Sequence, residues 1–274
     1  MNLKQLIGTK IIFGPAFPLF LRLADAFQYW ITVIHNKTFN GEINGEYWLR
    51  DQFLDGKVYV DVGFNRGEWA KYISQKNHSA KIFAFDPCMD VVKEFESERE
   101  RYKNIELFQM ALSDEEGSLD FYDYGSLNGC NSLAERDIDF GESVKPNIYK
   151  VAVATLDKWA LEKNVEHIDF LKVDAEGYDL NVLEGSSQLL QKQMIDAVLF
   201  EYATGWLCSR RTLKEAVKFF EQKPYHLFKL FNGFLLPFDY KSTFEGSMFS
   251  IFVAISDNAL KRHSIGSKIR YLNF

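Results

Sequence analysis

The sequence predicts an α/β fold: a mostly parallel sheet flanked by helices, finished by antiparallel strands and preceded by a helical N-terminal extension. Three observations carry this prediction. Short runs rich in Val, Ile and Phe alternate with amphipathic stretches from Val58 to Leu112 and again from His167 to Gln222. Strand, helix, strand in that rhythm requires right-handed crossovers, and so parallel neighbours. The tail, "HLFKLF", "GFLLPF" and "SMFSIFVAI", lacks helical spacing and predicts strands joined by turns.

The elements follow in order. "IIFGPAFPLFLRLADAFQYWITVI" (Ile11 to Ile34) is apolar, and its "ADA" imitates a signal-peptidase site, but Arg22 and Asp25 interrupt the run. It is expected to be an uncleaved helical segment, packed on the core in preference to lying on a membrane surface. "GEYWLRDQFLDG" repeats Tyr47, Trp48, Phe53 and Leu54 near helical spacing and closes at Gly56. "KVYVDV", "KIFAFD" and "NIELFQMAL" are strands, separated by the helices "GEWAKYISQK" and "CMDVVKEFESERERY". From Ser113 to Thr155 the rhythm breaks: "GSLDFYDY" and "YKVAVATLD" are strands joined by a long polar loop, a length that suits a functional cover. "HIDFLKVD", helix "YDLNVLEGSSQLLQ", "MIDAVLFE" and helix "RRTLKEAVKFFEQ" then resume the alternation. The expected organisation is an extension over residues 1–55, one domain over 56–256 and a tail over 257–274.

Bulk properties narrow the function classes. A chain of 274 residues, 47% hydrophobic and 26% charged, can bury one large core. Its net charge of −6 argues against a broad nucleic-acid footprint. Cys88, Cys130 and Cys208 show neither zinc nor disulfide spacing, so a reducing cytoplasm is expected, with membrane-peripheral contact through the N-terminal segment as the variant.

Chemistry concentrates where strands end. In an open parallel sheet, ligands bind beyond the carboxyl ends of the strands. Four predicted strands run into an acid there: Asp61, Asp86, Asp174 and Glu201. One such carboxylate can be a helix cap; four on one rim suit a ligand with positive charge and hydroxyls. The turn "DVGFNRG" lacks the G-x-G-x-x-G spacing that presents bare N–H groups to a pyrophosphate, and Asp61 would repel a phosphate. S-adenosylmethionine, with an ammonium, a sulfonium and a ribose diol, suits it better than a nicotinamide dinucleotide.

"VYVDVGFNRG", "FAFDP", "MALSDEEGSLDFY", "VATLDKWA" and "IDFLKVDAEGYDLNVLEGS" together resemble the FkbM-type methyltransferases, a branch of the class I S-adenosylmethionine-dependent enzymes, over roughly residues 45 to 255. The resemblance implies a Rossmann-like seven-stranded sheet with an antiparallel last strand. It implies that Asp61, Gly63, Asn65 and Gly67 line the methionine end of the cofactor, that Asp86 holds the ribose hydroxyls, and that Ala111 flanks the adenine. The family commonly carries glutamate where this chain has Asp86. The implied activity is O-methylation, with a sugar in a glycan or glycolipid ahead of a secondary-metabolite hydroxyl. The N-terminal segment would cover the sheet or supply a homodimer contact.

For the acceptor's proton, Asp174, Glu176 and Glu201 are the candidates. Strand alternation puts Lys172 and Asp174 on one face, so a Lys–Asp pair is expected. Each acid has a structural alternative: a helix cap for Asp174, a turn hydrogen bond for Glu176, a solvated strand end for Glu201. Asp174 also belongs with the cofactor-binding group, and Asp174 with Glu201 is an alternative magnesium pair, although no metal is expected. In "LNGCNSL", Asn128, Asn131 and Ser132 are candidate sugar-binding residues, or ordinary turn formers. His226, opening a late strand, is the histidine expected to face the cleft. A non-catalytic cofactor-binding scaffold is the remaining alternative.

Overall fold

A computed structural model describes residues 40–125, 129–136, 145–246, 249–262 and 264–271, together with residues 18, 19, 22, 23 and 27. The strands of the main sheet are β1 (Val58–Val62), β2 (Lys81–Phe85), β3 (Ile105–Phe108), β7 (Ile168–Val173), β8 (Ile195–Ala203), β9 (Tyr225–Phe231), β10 (Phe234–Pro237) and β11 (Phe249–Ser256). They lie side by side in the order β10-β9-β11-β8-β7-β1-β2-β3. β1 pairs in parallel with β2 and β7, β2 with β3, and β7 with β8, whereas β11 runs antiparallel between β8 and β9. The α/β class therefore stands, with the antiparallel strand in place. The eighth strand is β10, which the hairpin after Phe231 adds to the edge beside β9.

β4 (Ala111–Leu112), β5 (Gly117–Asp123) and β6 (Asn147–Ala154) form a separate three-stranded sheet in the order β4-β6-β5. "NIELFQMAL" is thus two strands in two sheets: Met110 N–H turns back onto Phe108 O at 2.9 Å, and the chain leaves the main sheet there. The stretch expected as one helix after β7 is likewise two, Asp179–Glu184 and Ser187–Gln191, broken at Gly185 and Ser186.

The sheet is buried on both faces, as parallel sheets are. On one face Tyr59, Trp69, Phe95 and Phe170 pack together; on the other lie Val60, Trp159, Phe200 and Trp206. Trp159, from the helix Leu156–Lys163, sits 4.9 Å and 5.0 Å from the Phe83 and Phe85 rings and locks β2 against it. Leu19, Leu23 and Phe27 are helical and exposed. Among the described residues no helix is long and apolar enough to cross a membrane.

Candidate active site

The site follows from the register of four neighbouring strands. Phe85, Val62, Val173 and Phe200 lie in one row across β2, β1, β7 and β8. The residues one step beyond that row are Asp86, Gly63, Asp174 and Glu201. Strand order reverses at β1, with β2 and β3 on one side and β7 and β8 on the other, so this row faces a crevice. A cavity opens there, lined by Gly63, Asn65, Asp86, Ala111, Asp174 and Glu176 among others.

Gly63 makes the close approach possible. Its φ is +80°, and a Cβ at this position would stand 1.9 Å from the Asp174 carbonyl oxygen. Only a residue without a side chain lets the β1 turn cross β7 at that distance. Gly63 and Phe64 then donate their N–H groups to Phe85 O at 3.0 Å and 3.2 Å, tying the turn to β2. Asn65, also left-handed at φ +46°, donates its N–H to Asp86 Oδ2 at 2.8 Å. Cys88 N–H donates to Asp86 Oδ1 at 2.9 Å. Asp86 is thereby aimed at the cavity wall. Burial pushes its carboxyl up to about 6, although those two N–H groups pull the other way. Gly67 does not line the cavity; its φ of +71° caps the helix Glu68–Lys76.

Asp61 sits elsewhere than expected. It lies one row inside the sheet, directly opposite Lys172 on β7, and is 1% exposed. Lys172 Nζ is 3.8 Å from Asp61 Oδ1 and 2.9 Å from Asp174 Oδ2. The Lys–Asp pair expected from strand alternation is therefore present, with Asp61 as a third member behind the wall. Asp61 Oδ1 has no hydrogen-bond donor, and burial pushes its carboxyl up to about 7 against the pull of Lys172. Burial also raises Glu46, from the helix Glu46–Asp51, which faces Lys172 and Asp174.

Glu176 occupies the turn after β7 with φ +51°, unusual for a residue with a side chain. Its carboxylate accepts Arg136 Nη1 at 2.6 Å, and its carbonyl accepts Ser132 Oγ at 2.9 Å. Burial and then Asp174 push Glu176 up to about 8, with Arg136 opposing them. Asp179 accepts the N–H groups of Ala175 and Gly177 at 3.3 Å and 3.1 Å, which fixes this turn. Glu201 is not a strand end, because β8 runs on to Ala203. Its carboxyl is held well above the usual range by burial, then by Asp174 and Glu176.

Segment 129–136 folds over the cavity. Asn131 and Ser132 line it, but both side chains already have partners. Asn131 Oδ1 accepts Tyr124 N–H at 2.8 Å and its amide donates to Gly125 O at 3.1 Å; Ser132 Oγ accepts Ala134 N–H at 3.1 Å as well as bonding Glu176. Their turn-forming reading is the one the geometry supports. Asn128 lies outside the described residues. His226 does not face the cleft: it is the second residue of β9, which runs parallel to β8, so it sits at the opposite rim, 60% exposed and 2.9 Å from Asp257.

Among the described residues, the group near enough to share a metal ion is His167, Asp169 and Asp196. These sit at the starts of β7 and β8, away from the cavity. Asp169 caps the N–H groups of Lys57 and Val58, and Asp196 pairs with Arg262. Asp174 and Glu201 form no such group among the described residues.

Arg136 and Glu46, like Asp179, are charged residues that sequence reasoning misses. Arg136 stands in an aperiodic loop, its partner far along the chain. Glu46 stands in a segment that pattern assigns to the N-terminal extension.

A family model described as the methyltransferase FkbM domain matches residues 61–227, more than half of the chain. The 2-O-methyltransferase NoeI of Sinorhizobium fredii (strain NBRC 101917 / NGR234) is 26% identical over 148 residues, covering 49% of this chain and 59% of its own length. Methyltransferase sdnD of Sordaria araneosa is 28% identical over 152 residues, covering 46% and 59%. The chain thus spans about three fifths of the length of these two relatives. Among solved structures, a putative methyltransferase from Streptococcus mutans in complex with SAH is 11% identical, with TM-score 0.42, over 76% of this chain and 96% of that one. The family match begins at Asp61 and runs through every strand that builds the cavity rim, and it places the chain in the FkbM methyltransferase family.

Proposed function

We propose that this chain transfers a methyl group from S-adenosylmethionine to a hydroxyl group, with a sugar in a glycan or glycolipid as the acceptor class. One observation carries the reading. A cavity walled by Asp86, Asp174 and Glu176 lies against a glycine turn with the buried, donor-free Asp61 oxygen behind it. That surrounding favours a cation and disfavours a phosphate. Asp86 is presented for a ribose diol, the Gly63 backbone permits close approach of the methionine portion, and Ala111 offers an apolar wall to the adenine. The cofactor supplies an electrophilic methyl group when bound.

The chain's own task is to orient the acceptor and take its proton. Both acids have a cationic partner, Lys172 for Asp174 and Arg136 for Glu176, and Glu176 suits the role because burial and Asp174 bring its proton affinity near neutral pH. The Sinorhizobium relative is a 2-O-methyltransferase, which supports an oxygen acceptor. Incubating the protein with methyl-labelled cofactor and panels of glycans and small hydroxylated metabolites tests this. Base-stable label on a glycan is expected, and Glu176→Gln should reduce its formation by about 100-fold or more. Label on the small metabolites alone would replace the sugar acceptor.

A pH dependence follows. The unfolded chain releases the Asp61 and Asp86 protons near the ordinary 3.8, whereas the fold keeps them to about 7 and about 6. The fold binds these protons more tightly, so its stability from this source is full below pH ~4 and is lost as pH rises to ~7. A bound cation favours the ionised carboxylates. Affinity for S-adenosylmethionine should rise about tenfold or more from about pH 5.5 to about pH 7.5, with proton release that calorimetry in two buffers measures. A flat affinity profile would contradict the assignment.

A further inference from the structure

Segment 129–136 is joined to the turn after β7 at Glu176. Glu176 receives both fastenings: Ser132 Oγ on its carbonyl at 2.9 Å and Arg136 Nη1 on its carboxylate at 2.6 Å. The segment is held at its other side as well. Ser132 exchanges backbone bonds with Tyr122 at 2.8 Å and 3.2 Å. The Tyr124 hydroxyl accepts Arg136 N–H at 2.8 Å and donates to Arg136 O at 3.1 Å. Arg136 is only 10% exposed, so its charge has left water for the Glu176 carboxylate. Breaking a pair of this kind leaves an uncompensated buried charge. Glu176 meanwhile holds a left-handed backbone that its surroundings must impose.

We propose that Arg136 is a positioning residue: it fixes Glu176 in that conformation at the cavity wall and couples the fastening of segment 129–136 to binding in the cavity. The inference rests on the proposed assignment of this cavity to S-adenosylmethionine. Its physical basis is the set of charges around Glu176. Asp174 and Asp179 face it from its own turn, Glu201 from β8, and Arg136 with Cys130 from the segment above. Three of these are acids, and they oppose the ionised Glu176 that Arg136 favours. A cation beside Asp174 offsets them, leaves Glu176 ionised and strengthens its bond to Arg136. By linkage, fastening the segment must then strengthen cation binding by the same factor.

Trypsin cuts after arginine, so cleavage at Arg136 reports directly on whether the guanidinium is held. In the unmodified protein this cleavage should be slow, and saturating S-adenosylmethionine should slow it by about tenfold more. Glu176→Gln should accelerate it by about tenfold without ligand and remove most of the ligand's protection. In calorimetry, Arg136→Gln should weaken S-adenosylmethionine binding about tenfold, while Arg136→Lys, which keeps the charge, should stay within about threefold of the unmodified protein. The acid limb of the affinity profile should move to higher pH in Arg136→Gln only, which a merely structural loss would not produce. Unchanged cleavage in Glu176→Gln, together with unchanged affinity in Arg136→Gln, would overturn the proposal. If the unmodified protein bound no S-adenosylmethionine, the functional reading would fail instead. The ligand-free comparison of cleavage rates would still decide whether Glu176 holds Arg136.

Discussion

Asp86→Ala is expected to weaken binding of S-adenosylmethionine and S-adenosylhomocysteine alike by about 100-fold or more. Two losses combine. A charged acceptor facing a diol contributes about 1.5–3 kcal/mol per hydrogen bond, and two such bonds reach that factor. The same carboxylate also accepts Asn65 N–H and Cys88 N–H, so its removal frees the turn that shapes the cavity. Asp86→Glu separates the two effects. It keeps the charge, one methylene further out, and should recover binding to within about tenfold of the unmodified protein. Calorimetry on all three proteins checks this, with thermal melting to confirm that each is folded. Equal binding by Asp86→Ala would remove Asp86 from the cofactor site.

Gly63→Ala should be more damaging still, and in stability as well as in binding. The added methyl would meet the Asp174 carbonyl oxygen at 1.9 Å, a contact that β1 and β7 relieve only by moving apart. Left-handed backbone adds about 1–2 kcal/mol for any L-residue, and forced repacking about 1–3 kcal/mol more. A loss of about 3 kcal/mol in urea unfolding is expected, with no measurable cofactor binding in whatever remains folded. The turn is thus a packing device first. A role in cofactor binding alone would predict impaired binding, whereas the crossing of β1 and β7 predicts destabilisation too.

Much of this site is legible in the amino-acid sequence, for a definite reason. A strand ending in an acid can be read from local pattern, and register then places Asp86, Asp174 and Glu201 in one row. The Lys172–Asp174 pair is legible because alternation along a strand has a fixed period. Pattern misplaces Asp61 by a single step. Sequence pattern takes the strand through Val62 as "KVYVDV" yet counts Asp61 among the strand-end acids, whereas the register sets Asp61 one step inside the rim, beside Lys172. His226 fails for a different reason. Pattern identifies a strand, but which rim its first residues occupy depends on strand direction within the sheet, which here follows from β11 running between β8 and β9.

Arg136 is the hardest to find. No periodicity marks it, and its bond to Glu176 joins a loop to a distant turn. The eighth strand is hidden more mildly: "GFLLPF" has the pattern of a strand, but nothing local distinguishes a free hairpin arm from a sheet edge.

The central claim is that an anionic, glycine-shaped cavity at the carboxyl ends of β1, β2 and β7 takes a sulfonium amino acid and not a phosphate ester. Calorimetric titration of the intact protein with S-adenosylmethionine and, separately, with NADH tests it most directly. Saturable binding of S-adenosylmethionine that releases protons near pH ~6.5, with no heat from NADH, is the predicted result. Binding of NADH in the absence of any response to S-adenosylmethionine would contradict it.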